Sequence, residues 1–259
     1  MLEWGAAFNA LGAIAILAVV GWLLGVIKRD VSIVDSFWSL FFLLGAVVYA
    51  VSVDASGARV MLLLSLVALW ALRLSVYLTW RNWGESEDRR YQAIRARNEP
   101  GFTWKSLYLV FGLQGVLAFI IALPILAGLG DAAPLGLFDY AGAVVWGIGF
   151  ILEVVADRQL ARFKADRSKR GKVLDTGLWR YTRHPNYFGE AMLWWGFYLI
   201  AIGTGSWWTL FAPLLMTFLL LKVSGVTLLE ADIQERRPDY RAYIARTNAF
   251  VPWRPKAAQ

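Results

Sequence analysis

The sequence predicts an all-α integral membrane protein of seven transmembrane helices, with its N-terminus outside and its C-terminus in the cytosol. Three observations predict it. Apolar side chains make up 58% of the 259 residues and charged ones only 17%, too lopsided for an ordinary soluble domain. The apolar residues gather in seven runs, most of them near the roughly 20 residues that the hydrocarbon core of a bilayer requires. With the N-terminus outside, 23 of the 26 Lys and Arg fall in the loops after the first, third and fifth runs and in the C-terminal tail, whereas the opposite face holds only Arg59.

The first run, Trp4 to Ile27, is followed at once by Lys28, Arg29 and Asp30, so it reads as a span and not as a cleaved signal peptide. It pairs with the second, Val31 to Val53, in a tight antiparallel hairpin. The remaining runs are Val60 to Trp80, Ser106 to Gly130, Asp139 to Ala156, a short sixth from Tyr187 to Ile202, and Trp207 to Leu229. Trp4, Trp80, Trp207 and Trp208 near run ends suit interfacial anchoring. Between runs, 81–105 is a mixed-charge loop, and Asp157 to Lys172 carries the fifth run on as a basic, partly helical stretch. Glu230 to Asn248 reads as a surface helical region interrupted near Pro238. With no internal repeat or low-complexity linker, residues 1–259 read as one domain whose function lies on the cytosolic face, where the loop mass is.

Composition also excludes chemistry. Without cysteine there is no disulfide, thiolate nucleophile or thiolate metal site, and a single histidine, His184, argues against a His-rich metal centre or a Ser-His-Asp triad. The net charge of +7 reflects the positive-inside bias, not a nucleic-acid surface. Against this background, ionisable residues inside runs stand out: Asp35, Arg73, Glu153, Glu190 and Lys222, all toward the cytosolic halves of their spans. Two readings are open, a shared polar cavity or a set of snorkelling side chains and structural ion pairs. Trp70, Arg73 and Tyr77 share one helix face, which is either part of such a cavity or ordinary packing.

Gly177 to Glu190, GLWRYTRHPNYFGE, concentrates the unusual chemistry. Pro185 suits the first turn of a new helix, and Arg183, His184 and Asn186 bring donors to its start. The rings of Trp179, Tyr181 and Tyr187 offer faces to a planar heterocycle, so the stretch suits a phosphorylated aromatic cofactor.

TGLWRYTRHPNYFGE resembles the C-terminal signature of NADPH-dependent membrane sterol reductases, and RHPNYFGE alone also resembles isoprenylcysteine and phospholipid methyltransferases. RDVSIVDSFW at Arg29 to Trp38, LWALRLSVYLTWRNWG at Leu69 to Gly84 and EDRRY at Glu87 to Tyr91 resemble the bacterial family of unknown function within the steroid 5α-reductase superfamily, which favours the reductase side. The resemblance implies an NADPH site built from Glu153, Asp157, Lys164, Asn186, Glu190 and Lys222, with Lys172, Trp179, Arg183, His184 and Tyr187 beside them. Glu230 falls where that superfamily has an aromatic residue, and so departs from its pattern. The implied division of labour puts the substrate mainly on 1–105 and the cofactor mainly on 106–259.

The activity implied is a steroid 5α-reductase, a 3-oxo-5α-steroid 4-dehydrogenase that reduces the 4,5 double bond of 3-oxo-4-ene steroids. Asp35 matches the superfamily's steroid-binding glutamate; in apolar surroundings such a carboxyl can stay neutral and donate a hydrogen bond to the forming enolate. Tyr77 matches an assisting tyrosine, although the alignment also admits Trp70, and Phe37, Trp38, Phe41, Trp70 and Arg73 make up the expected substrate wall. Partners are then a steroid or related lipid and membrane lipid, with neither nucleic acid nor an obligate protein partner, in a bacterial inner membrane. Two alternatives stay open: an S-adenosylmethionine-dependent methyltransferase, supported by RHPNYFGE with Glu230 and RRPDYRAY, and a noncatalytic lipid-binding or transport protein.

Overall fold

Apolar runs become helices throughout the computed structural model of the chain. It describes residues 2–131, 133–223, 225–230, 233 and 237–256, apart from the side chains of 228 and 229, and among the described residues there is no β-strand. Helix α1 is Trp4–Lys28 and α2 is Val34–Ser52, entered through a 3-10 turn at Val31–Ile33. The hairpin between them is as tight as expected. Arg29 takes a left-handed φ of 55°, the Asp30 N–H reaches the Gly25 carbonyl at 3.0 Å, and the Asp30 carboxylate accepts from the Ser32 N–H at 2.8 Å. Then follow α3 (Ala58–Asn82), α4 (Arg89–Asn98), α5 (Phe102–Leu129) and α6 (Leu137–Ala165). The chain continues with α7 (Pro185–Gly203), α8 (Trp207–Val223), α9 (Val226–Glu230) and α10 (Tyr240–Arg246).

The segments α1, Val31–Ser52, α3, α5 and α6 are long and apolar enough to cross a bilayer, which makes the chain a multi-pass membrane protein. The other two expected spans are α7, whose first two turns carry Asn186 and Glu190, and α8, a shorter apolar helix. As expected, α6 carries on past the end of the apolar run at Ala156, as far as Ala165, so Asp157 and Lys164 sit on regular helix. Of the expected helical region around Pro238, residues 231, 232 and 234–236 lie outside the described ones.

The helices form two compact units, Met1–Gly136 with Ala201–Thr209, and Leu137–Ile200 with Leu210–Gln259. The first unit runs through the end of α5, because α5 packs along α1 and α2. In the first unit Phe41, Phe42, Tyr49, Trp70, Phe102 and Phe111 are fully buried. Lipid tails are as apolar as these rings, so what their close packing gains is van der Waals contact. Arg59, the lone cation expected outside, is itself buried: it pairs with Asp131 at 2.9 Å and donates to the Pro134 carbonyl at 3.1 Å, pinning the start of α3 to the chain after α5.

In the second unit α6 and α7 cross at two glycine pairs. A Cβ placed on Gly149 would stand 2.6 Å from the Gly189 carbonyl, and one on Gly142 2.6 Å from that of Gly196. Both helices repeat glycine at a seven-residue interval, so the two backbones touch over two turns, a contact that any side chain would force apart.

Candidate functional site

The glycine crossing sets the geometry of the first cluster. The backbone of Glu153 lies against Gly189, so Glu153 and Glu190 meet the crossing from opposite helices; both are buried, as is Asp157 one turn beyond Glu153. Asn186, in the first turn of α7, donates from Nδ2 to Asp157 Oδ1 at 3.4 Å, and its buried Oδ1 has no hydrogen-bond partner among the described residues. Four of the residues expected to form the cofactor site are therefore gathered by one helix contact. Among the described residues no three such groups converge tightly enough to hold a metal ion, so the cluster is a set of acceptors around an amide.

Other members of that expected set are employed differently. Arg183 was expected to offer its fork to a phosphate; instead it grips Glu230 bidentately, at 2.7 and 2.9 Å, and sends its other nitrogen to the carbonyls of Ile244 and Thr247. His184 also spends Nε2 on Glu230, at 2.9 Å, and stacks its ring on Tyr187. Burial would raise the Glu230 carboxyl, but the hydrogen bonds from His184 and Arg183 outweigh it and hold the pKa at about 2. The departure of Glu230 from the aromatic pattern thus has a cause: it is the acceptor that these two donors need. Trp179 presents no free face, being buried with its indole N–H on the Ala156 carbonyl at 3.2 Å, while Tyr243 donates to the Trp179 carbonyl. Asp175 pairs with Arg246. Lys164, Lys172 and Lys222 are exposed.

In the first unit Asp35 anchors a second cluster. Its Oδ2 accepts from Arg90 at 2.8 Å and its Oδ1 from the Tyr91 hydroxyl at 2.6 Å, and Gln114 donates to the same hydroxyl at 3.1 Å. This corrects two expectations. Asp35 accepts with both oxygens and does not point a proton at a substrate, and its tyrosine is Tyr91, not Tyr77, whose ring lies by Trp80 and Arg81. Asp88 caps α4 and holds Arg90 at 3.0 Å, while Glu87 binds Arg95 and accepts from the Val31 N–H at 2.9 Å. EDRRY is therefore the strap that ties α4 to the start of α2. Burial and the Asp35 charge keep the Tyr91 phenol well above its ordinary pKa, while for the Arg90 guanidinium burial is outweighed by Asp35 and Asp88, which hold it charged.

The expected substrate wall splits. Trp38, Phe42 and Trp70 form an edge-on aromatic column at 5.1 and 5.4 Å between α2 and α3, and Phe41 is fully buried, so these are packing residues. Arg73, one turn past Trp70, is half-buried. Phe37 instead lines a cleft of about 570 Å³ whose walls do not include Asp35.

The family model described as "Protein of unknown function (DUF1295)" matches residues 21–247, nearly the whole chain. The chain belongs to this family. The DUF1295 match takes in both clusters, from Asp35 to Glu230. The chain is also 28% identical over 268 aligned residues to the uncharacterized protein C594.04c of Schizosaccharomyces pombe, an alignment that covers 92% of this chain and 77% of that one. No solved structure matches. Reasoning from the sequence missed Arg90, Tyr91 and Gln114 as partners of Asp35, and missed the glycine pairs. The signal for the latter was present, as Gly142 with Gly149 and Gly189 with Gly196 repeat at seven residues on successive apolar runs.

Proposed function

We propose that this protein is an NADPH-dependent reductase of a conjugated enone in a membrane lipid, with 3-oxo-4-ene steroids the model substrates. The observation that carries the reading is the cluster at the α6–α7 crossing, where the Asn186 amide oxygen is buried without a partner among the described residues. That set suits the uncharged part of a nicotinamide nucleotide: the amide oxygen can accept from a carboxamide N–H, and Glu153, Asp157 and Glu190 from ribose hydroxyls. Phosphates fit the basic stretch 158–172, with the exposed Lys172 in it, better than Arg183, which is already committed to Glu230. The chemistry supplied by the cofactor when bound is hydride transfer to the β-carbon of the alkene.

As the alkene takes up hydride, charge grows on the substrate carbonyl oxygen, and fixed donors must meet it. Arg90 offers such a donor, aimed by Asp35 and Asp88, while the Tyr91 hydroxyl gives its one proton to Asp35 and accepts from Gln114, holding that carboxylate in place. Water supplies the proton that completes the saturated ketone. The same reading includes seven crossings with the N-terminus outside and the C-terminus cytosolic, in a bacterial inner membrane. The Lys and Arg distribution supports it, the more so as Arg59 is consumed in a buried pair.

Purified protein incubated with NADPH and a 3-oxo-4-ene steroid should yield the saturated ketone. Arg90→Met should cut the rate of the chemical step by about two orders of magnitude, in line with the loss of one donor to an oxyanion. Asn186→Ala should raise the KM for NADPH more than that for the steroid. No product with any enone tried, or an Arg90→Met enzyme at full rate, would defeat the assignment.

One observation favours a second reading. The Arg183 and His184 grip on Glu230 joins the two stretches that resemble lipid methyltransferases, and buried carboxylates suit a sulfonium cation. Mass spectrometry of the copurified nucleotide separates the two: a nicotinamide dinucleotide supports reduction, S-adenosylmethionine the transferase.

A further inference from the structure

The C-terminal segment carries a surface that neither cluster uses. Its Phe250 ring meets Phe188, in the first turn of α7, edge to face at 5.6 Å, and its Trp253 N–H donates to the Tyr181 carbonyl at 2.9 Å. Tyr181, Val251 and Trp253 are thereby set beside one another with 44%, 57% and 69% of their surface exposed. Their height is fixed by Trp179, whose indole N–H sits on the carbonyl of Ala156, where the apolar run of α6 gives way to charge. Because α6 is long and apolar enough to cross a bilayer, Tyr181, two residues on from Trp179, lies where hydrocarbon meets headgroups, the level at which Trp and Tyr gather.

Backbone and charge both suit that level. Pro252 and Pro255 have no N–H to leave unpaired, and those of Trp253 and Lys256 are bonded, the latter to the Arg246 carbonyl at 2.9 Å. Neither 176–189 nor 240–256 contains an Asp or Glu, and Asp175, just before the first of these stretches, is taken by Arg246. Arg183 is bound to Glu230. Arg180, Arg254 and Lys256 are exposed and form no ion pair among the described residues, so the positive charge around the three apolar side chains is uncompensated.

We propose that this surface seats on the anionic headgroup layer of the leaflet beside it, with Tyr181, Val251 and Trp253 entering the interface and Arg180, Arg254 and Lys256 meeting lipid phosphates. Apolar side chains supply contact with any lipid, while basic ones select the anionic kind, each Lys or Arg near the surface being worth about fivefold. The height of the patch favours a lipid surface over a soluble acidic protein, which would match the charges without needing exposed rings at the bilayer boundary. The contact is independent of the reductase reading, because it uses no residue of the Asn186 or Asp35 clusters.

The test uses the full chain, which has no cysteine of its own, with Val251→Cys carrying an environment-sensitive fluorophore and the protein reconstituted into lipid nanodiscs. In discs of phosphatidylcholine mixed with phosphatidylglycerol the label should emit at shorter wavelength and be quenched by lipids brominated near the top of the acyl chain. In phosphatidylcholine alone both effects should be weaker, and high salt should diminish them in the mixed discs. Arg180→Glu, Arg254→Glu and Lys256→Glu, all at exposed positions, should each lower the ratio of seated to water-exposed label about fivefold. The salt arm changes no charged residue and tests the same point should a reversal disturb folding. A label that stays water-like in both kinds of disc, as contact with a soluble partner instead would leave it, equal seating in both, or seating unmoved by salt and by all three reversals would each overturn the proposal.

Discussion

At the scale of single residues, committed partners decide what a side chain can do. Arg183 and His184 look from their neighbours like phosphate ligands, yet both are turned onto Glu230, which with Thr182, Tyr243 and the Trp253 N–H ties the C-terminal segment to the stretch before α7. The Glu230 carboxyl is held at about 2 against an ordinary 4.5, so its contribution to stability is complete above about pH 4.5 and is lost as the pH falls toward 2. That contribution is roughly 3 kcal/mol for a group only partly screened by solvent. Thermal unfolding of the native protein and of Glu230→Gln should therefore differ by several degrees at pH 6, and the two curves should converge toward pH 3. Parallel curves across that range would show that the ion pair does not hold the strap. The sequence marks these residues as a concentration of polar groups, but it left open which donor meets which acceptor, because Arg183 and Glu230 lie 47 positions apart.

Among elements, the α6–α7 contact positions the whole candidate site. Gly149→Ala puts a methyl 2.6 Å from the Gly189 carbonyl and must part the helices, a cost of about 1–3 kcal/mol, and with it the spacing between Glu153, Asp157 and Asn186. Gly147, two residues away on the same helix, has nothing within 4 Å of the corresponding position. Gly147→Ala should be neutral or stabilising by up to about 1 kcal/mol, from helix propensity alone. Unfolding temperatures of the two variants, with NADPH binding measured on each, check the point: equal behaviour would mean that the close contact is not required. Helix positions were legible from hydropathy, and the Pro185 start of α7 was read correctly because proline's missing N–H belongs at a helix's first turn. The face on which each helix meets its neighbour was not, since these runs are apolar all round and their periodicity carries little direction.

For the whole molecule, topology is the testable property. The chain has no cysteine, so single cysteines report sidedness without background. With the N-terminus outside, a cysteine at Ala55, between α2 and α3, should react with a membrane-impermeant maleimide in intact cells, and one at Ser168, after α6, only once the cells are opened. The reverse pattern would invert the proposed orientation. DUF1295 membership rests on a match over residues 21–247, whereas the expected reductase kinship rests on short stretches spread along the chain, and the structure gives those in the first unit work to do. RDVSIVDSFW and EDRRY meet through Asp35, Arg90, Tyr91 and Glu87, as strap and anchor.

What the sequence determined by itself is what depends on composition and on near neighbours: a membrane protein, because apolar runs of that length have no other solvent, the approximate positions of the apolar helices, and the stretches in which polar groups are concentrated. Only the tertiary structure decided how those groups are spent, with Asp35 an acceptor beside Tyr91, Arg183 and His184 bound to Glu230, and Glu153, Asp157, Asn186 and Glu190 drawn to one crossing. The physical reason is that a buried polar group must find a partner wherever packing brings one, and packing between helices joins positions that sequence distance does not.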